Sequence, residues 1–240
     1  MERGRYHFKV RSYECGPDGR ATLPTICNFL QEAASLHAAS LGFGKGDFAA
    51  AGENISWVLT RLVVKMDRYP VWEDEVTVET FPRGGRKIVA WRDFEVKNAN
   101  GETLGVASSE WMIIDLATRK IHAIPEKVFA ANDPKNVPVL GLEPFAKFRF
   151  PEGERGVPPL QFTAQKSQID LNGHVNNVHY ISWMLEPCAS RCPAEAEIVF
   201  RSETFAGDEV RVEIAAADGF TYHHVSAPDG KDHIVARTKG

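Results

Sequence analysis

The feature that most constrains this chain is a weak internal repeat. When residues 18–32 (DGRATLPTICNFLQE) are set beneath residues 172–186 (NGHVNNVHYISWMLE), a shift of 154, Gly19 meets Gly173, Phe29 meets Trp183, Leu30 meets Met184 and Glu32 meets Glu186. A second match follows in the same order: YPVWEDEVTVET resembles ETFAGDEVRVEI, with Asp74-Glu75-Val76 over Asp208-Glu209-Val210 at a shift of 134. Two ordered matches in 240 residues point to a tandem duplication, so the fold must be one that a unit of roughly 110 to 150 residues can make twice.

Periodicity says what that unit contains. In residues 24–42, Ile26, Leu30, Ala33, His37 and Leu41 fall at helical spacing. Phe29 and Leu36 carry the apolar character further round, as expected of a helix enclosed on most sides. Residues 175–186 behave likewise through Val178, Ile181 and Leu185, with Tyr180, Trp183 and Met184 alongside. By contrast EVTVETF, KIVAWRDFEV, ASSEWMIID, EIVF and DEVRVEI are short, often alternating and rich in β-branched or aromatic residues, and read as strands. Turn signals separate them at PRGG (82–85), NANG (98–101) and PDG (228–230).

Each half is thus one long apolar helix followed by antiparallel strands, an α+β unit. The simplest architecture wraps a sheet around the helix twice and joins the sheets edge to edge. Residues 133–159 are rich in Pro and Gly with little periodicity and form the natural linker. The expected division is therefore 1–132, linker 133–159, and 160–240.

Several classes are excluded. A net charge of −4 argues against a nucleic-acid binder. The start MERGRYHFKV has no apolar core of signal-peptide length and no run approaches a membrane span, so the expected compartment is the cytoplasm. Cys15, Cys27, Cys188 and Cys192 are too scattered for a disulfide framework, and no second ligand pair accompanies Cys188 and Cys192, so neither metal nor cofactor is expected.

The chemistry concentrates in DLNGHVNNVHYISWMLE, residues 170–186. Asp170, Asn172 and His174 place a carboxylate, an amide and an imidazole at alternate positions, and Asn176 and Asn177 follow just before the apolar run. The first N–H groups of a helix lack intrahelical partners and the dipole there is positive, so a developing oxyanion is stabilised at such an end. Singly, the plainer readings are favoured, Asn172 as a helix cap and His174 as a satisfied surface histidine. Together they suggest a reacting centre.

This stretch resembles the signature of the plant-type and bacterial fatty acyl-acyl-carrier-protein thioesterases, Asp-x-Asn-x-His-Val-Asn-Asn followed by an aromatic residue and Trp-x-x-Glu. TLPTICNFLQEAASLHAASLGFG, WVLTRLVVKMDRYPVWEDEVTVETFPRG and SSEWMIIDLATRKIHAIP resemble the family's first half, so nearly all of the chain is covered. The resemblance implies two tandem hotdog folds, hydrolysis of a fatty acyl thioester on an acyl carrier protein, and a catalytic set of Asp170, Asn172 and His174. It adds Glu203 from the stretch FRSET, where the family commonly has a Glu-Cys pair; here Thr204 stands in place of the Cys. No cysteine nucleophile is therefore available at that position, and carboxylate and imidazole must carry the chemistry. Whether Asp170 attacks directly or assists a water stays open.

At the repeat shifts, Arg20 falls opposite His174, Asp18 opposite Asn172, Tyr69 opposite Glu203 and Pro70 opposite Thr204. The first half is then expected to be catalytically silent and to shape the acyl pocket through Ile26, Leu30, Trp57 and Leu59. Arg83, Arg86 and Lys87 form a basic loop suited to an acidic carrier protein, a solvated turn being the plain alternative. An acyl-CoA thioesterase and a non-hydrolytic acyl-binding or dehydratase-like hotdog protein remain as rival readings. A homodimer is admitted alongside a monomer.

Overall fold

The computed structural model describes residues 3–133, 135–140, 149–152 and 157–240. Its strands are β1 (Gly4–Lys9), β2 (Ile55–Met66), β3 (Glu75–Arg86), β4 (Val89–Asn98), β5 (Thr103–Asp115), β6 (Ile121–His122), β7 (Leu160–Thr163), β8 (Glu195–Phe200), β9 (Glu209–Ala217), β10 (Phe220–Ser226) and β11 (Asp232–Lys239). The helices are α1 (Leu23–Ser40), α2 (Lys45–Ala50), α3 (Glu126–Ala130) and α4 (Asn177–Leu185). The strands form one antiparallel sheet in the order β1-β3-β4-β5-β2-β8-β11-β10-β9-β7, with β6 paired to β5. Counted inward from each edge, the order is β1-β3-β4-β5-β2 on one side and β7-β9-β10-β11-β8 on the other.

Local sequence sets both long helices. Pro24 in the first turn of α1 fits because the N–H it lacks would have no intrahelical partner. At the other end Phe43 N–H reaches Ala38 O (2.8 Å) while Gly42 sits at φ +75°, a Schellman stop that needs glycine. Asn176 caps α4, its side chain accepting from Val178 N–H (3.0 Å). Asn172 is therefore not the cap.

α1 buries Leu23, Ile26, Phe29, Leu30 and Ala33 in a core shared with Tyr180, Ile181, Trp183 and Met184 of α4. Leu36 does not follow the expected apolar wrap: it is 43% exposed, and α1 is not enclosed on that side. The two halves of the chain meet where Arg61–Lys65 of β2 pairs with Glu195–Val199 of β8. There Arg61 and Glu197 form a buried ion pair (Nε–Oε1 2.9 Å), and Arg237 takes the other oxygen of Glu197 (2.7 Å).

Two sequence expectations are corrected. PRGG is not a turn: β3 continues to Arg86 through a register shift between Pro82 and Gly85, and the hairpin turns at Lys87–Ile88. Gly84 lies at φ +90°, and a Cβ on Gly85 would stand 2.2 Å from Val89 O, so both glycines serve a bulge rather than a loop. The linker expected at 133–159 falls partly outside the described residues; within them, Val139 N–H is held by buried Asp93 (3.0 Å).

Candidate active site

Residues 170–175 form a closed loop before α4. Asp170 N–H donates to His174 O (2.9 Å), Ile169 and Val175 form a bridge, and Gly173 at φ +83° allows the reversal. Within the loop the Asp170 carboxylate accepts from the backbone of Asn172 (2.7 Å) and from its Nδ2 (3.3 Å), so these two side chains are organised locally.

Glu203 arrives from the chain beyond β8. Val175 N–H donates to Thr204 O (2.9 Å), which lays the Glu203 segment against the loop and brings Glu203 Oε1 to 3.5 Å from His174 Nε2. His174 Nδ1 is 3.2 Å from Val175 O, a contact that requires a proton on Nδ1. In the neutral ring Nε2 is then a lone pair facing a carboxylate oxygen. Two acceptors so placed can share a donor that approaches both from one side, such as a water.

Two cations from the first half of the chain reach the same cluster, and neither is evident from sequence spacing. Lys45 Nζ at the start of α2 donates to Asn172 Oδ1 (3.0 Å). Arg119, at φ +57° in the turn after β5, pairs with Glu203 Oε1. Gln31 of α1 accepts from Asn177 Nδ2 (3.1 Å), tying the two helices beside the site. The ATRKIHAIP segment was the only available signal for Arg119.

Beside Asn172 lies a cavity of about 340 Å³. Gln31, Ala34, Ser35 and Ala38 of α1 form one wall and Trp57, Trp91 and Trp111 another, with Leu171 and Asn172 on the rim. Its size and mostly apolar lining suit a small-molecule chain. Of the four residues expected to line an acyl pocket, Trp57 does so. Ile26, Leu30 and Leu59 are instead packed in the core, and none of them lines the cavity.

The basic loop also differs from expectation. Arg83 turns inward to Asp93 (3.2 Å), which is fully buried, while Arg86 and Lys87 are exposed. Thr204 is fully buried; its hydroxyl and that of Tyr180 lie close to each other, yet neither makes a hydrogen bond of good geometry. Burial pushes the Tyr180 hydroxyl up to about 12, so it stays protonated. Among the described residues no cluster of His, Cys, Asp and Glu could hold a metal ion, and no helix is long and apolar enough to cross a membrane.

A long helix packed on a mostly antiparallel sheet, with a polar cluster at the rim of an apolar cavity, fits the hotdog class. Within that class the chain belongs to the acyl-ACP thioesterase family: residues 3–131 match its N-terminal domain model and residues 157–239 its C-terminal domain model. It is 37% identical over 190 residues to a chloroplastic palmitoyl-acyl carrier protein thioesterase of Arabidopsis thaliana, covering 76% of this chain and 46% of that protein. A chloroplastic oleoyl-acyl carrier protein thioesterase 2 of the same plant is 33% identical over 197 residues, covering 75% and 52%. The chain thus spans about half the length of the curated relatives it matches. Its fold is similar to that of an acyl-ACP thioesterase from Bacteroides thetaiotaomicron, with a TM-score of 0.84, 24% identity and coverage of 99% and 97%. A 12:0-ACP thioesterase from Umbellularia californica gives 0.81, 25%, and coverage of 98% and 95%.

Proposed function

We propose that this protein hydrolyses the thioester of a fatty acyl-acyl carrier protein, releasing a free fatty acid and ending chain elongation. The observation that carries the reading is the facing pair His174 Nε2 and Glu203 Oε1, 3.5 Å apart, beside the loop whose Leu171 and Asn172 line the cavity. A water held against both from one side would lose a proton to His174 as it attacks the thioester carbon. Proton transfer of this kind contributes about 10²- to 10⁴-fold. The C–S bond then breaks, and the same imidazole returns the proton to the leaving thiolate. Asn176 engages Val178 N–H through its side chain and His179 N–H through its carbonyl, which leaves Asn177 N–H for the oxyanion. Asp170 and Asn172 orient the water and the acyl group, Asp170 assisting water rather than attacking, since its carboxylate is already engaged by Asn172.

The proposal includes two tandem hotdog units, a silent first unit in 1–132 and a catalytic one in 160–240, joined by 133–159. The matching strand orders counted from each sheet edge support it. Chain length would be set by the cavity walls, Trp57 among them, rather than by Ile26, Leu30 and Leu59. Carrier docking falls to exposed Arg86 and Lys87, with Arg83 holding the hairpin through Asp93. The open edges β1 and β7 are compatible with a homodimer, and the charge and composition with an enzyme of the cytoplasm.

The test is thiol release from acyl chains of graded length on carrier protein and on CoA. Faster turnover on the carrier-bound series supports the proposal. Faster turnover on CoA favours an acyl-CoA thioesterase, and no thiol release from either refutes hydrolysis.

A further inference from the structure

The carboxylate of Glu203 has few holds. Its backbone segment is laid against the 170–175 loop, but among the described residues its side chain is met only by His174 Nε2 (3.5 Å) and by Arg119, both at Oε1. A glutamate has three rotatable side-chain bonds, so a carboxylate without a hold samples several positions, few of which face the imidazole. Since the His174 Nδ1 proton is committed to Val175 O (3.2 Å), nothing on the ring itself fixes where that carboxylate sits.

Arg119 comes from the other half of the chain, on the turn that joins β5 to β6. That turn is well fixed. Asp115 Oδ1 accepts from Ala117 N–H (3.0 Å), Thr118 N–H (2.6 Å) and the Thr118 hydroxyl (2.9 Å), and Arg119 N–H reaches Asp115 O (2.8 Å). Arg119 itself lies at φ +57°, a left-handed conformation that glycine or asparagine adopts at less cost than a long side chain. The turn therefore gains nothing from an arginine at this position. Nor does the fold: the Arg119 and Glu203 side chains are 43% and 30% exposed, and an ion pair that open adds little to stability. What the arginine does reach is the carboxylate that faces His174.

We propose that Arg119 is a positioning residue for the hydrolysis, by which the first half of the chain holds the Glu203 carboxylate turned toward His174. The inference rests on the His174–Glu203 reading of the site. When the water gives its proton to Nε2, the ring becomes a cation beside Glu203 Oε1, and a carboxylate already fixed there stabilises it without having to reorganise. Arg119 touches neither the water nor the thioester in this scheme and acts through Glu203 alone. The first half then supplies no reacting group, yet the site is incomplete without it.

The experiment measures kcat and KM for Arg119→Ala, Glu203→Ala and the double variant, on a carrier-bound chain and on a short model thioester. Arg119→Ala should lower kcat by about tenfold to a hundredfold on both substrates, the scale of a misplaced catalytic group. Arg119→Lys should keep part of the lost turnover. In the Glu203→Ala background the same replacement should cost less than about threefold, because the group through which Arg119 acts is gone. Arg119→Gly relieves the left-handed backbone, so it should show the same loss of kcat with a melting temperature no lower than that of the wild type, a separation that a merely structural role would not give. An unchanged or raised kcat in Arg119→Ala overturns the proposal. So does a full loss repeated in the Glu203→Ala background, or a rise in KM confined to the carrier-bound chain, which would assign Arg119 to docking. Each of these leaves thioester hydrolysis by the wild type in place; absence of that hydrolysis overturns the functional reading and this inference with it.

Discussion

The loops that precede α1 and α4 share a backbone but not a chemistry. Gly16 N–H donates to Arg20 O (2.8 Å) as Asp170 N–H does to His174 O (2.9 Å). Ala21 N–H reaches Pro70 O (2.8 Å) as Val175 N–H reaches Thr204 O (2.9 Å), and Gly19 and Gly173 both lie at positive φ. At the positions of His174 and Glu203 the first loop has Arg20 and Tyr69. Arg20 is closed onto Asp18 (2.7 Å), and the Tyr69 hydroxyl donates to Pro193 O (2.7 Å) in the core between the halves. One backbone frame can therefore carry an exposed ion pair and structural packing, or the His174–Glu203 pair proposed above to react. The residues mounted on it decide which.

The strongest way to break this comparison is to remove the reacting pair. His174→Ala or Glu203→Gln should lower kcat for thioester hydrolysis by about 10²- to 10⁴-fold while the thermal unfolding curve stays near that of the wild type. Arg20→Ala, on the equivalent loop, should leave turnover unchanged; a loss matching that of His174→Ala would show that the first loop also reacts.

Next in size is the seam that holds the halves together. Glu197→Ala takes a carboxylate from buried Arg61, which keeps Glu110 at 3.7 Å, and takes a carboxylate from Arg237 as well. Stability should fall by about 3 kcal/mol, the range for breaking a buried ion pair, as read by denaturant unfolding. A change below about 1 kcal/mol would place the pair among exposed ones.

The halves also differ in how they fill equivalent strand positions. By register, Phe94 opposite Thr80 in β4 corresponds to His223 opposite Ile214 in β10. His223 is fully buried, its Nδ1–H donating to Met184 O (2.9 Å) and its Nε2 accepting from Thr238 Oγ1 (2.8 Å), and burial pushes its ring down to about 4. The unfolded ring protonates below about 6.5, so the unfolded state binds the extra proton in that window. The stability that neutral His223 contributes is thus present above about pH 6.5 and lost as pH falls toward 4. Burial lowers His179 and His233 in the same direction. The melting temperature should drop over this range, and His223→Gln should flatten the drop; an unchanged profile would remove the assignment.

The smallest effect is expected at Thr204. Its hydroxyl is buried without a good hydrogen bond, so Thr204→Val removes no partner and should change both kcat and stability by less than about 1 kcal/mol. A large loss of activity would give that hydroxyl a part in the chemistry.

What was legible in the sequence was local. The two helices follow from apolar spacing, although the cap of α4 is Asn176 rather than Asn172. Leu36 shows the limit of periodicity, which reports that a face is apolar without saying what meets it. PRGG shows the limit of composition, since the same glycines suit a turn or a bulge and only pairing with β4 selects the bulge. β10 and β11 carry too little alternation to stand out, and their places are set by the neighbours they pair with.

By itself, then, the sequence determined the repeated helix-and-strand unit, the two glycine-closed loops and the residue types available on each, because these depend on backbone conformation and contacts a few positions apart. Only the tertiary structure decided that Glu203 meets His174, that Lys45 and Arg119 reach across to the same cluster, and that Arg92 rather than Leu30 faces the cavity. Those contacts join residues separated by 29 to 127 positions, or choose between the two sides of one helix, and only the pairing of strands and the packing of α1 against the sheet specify them.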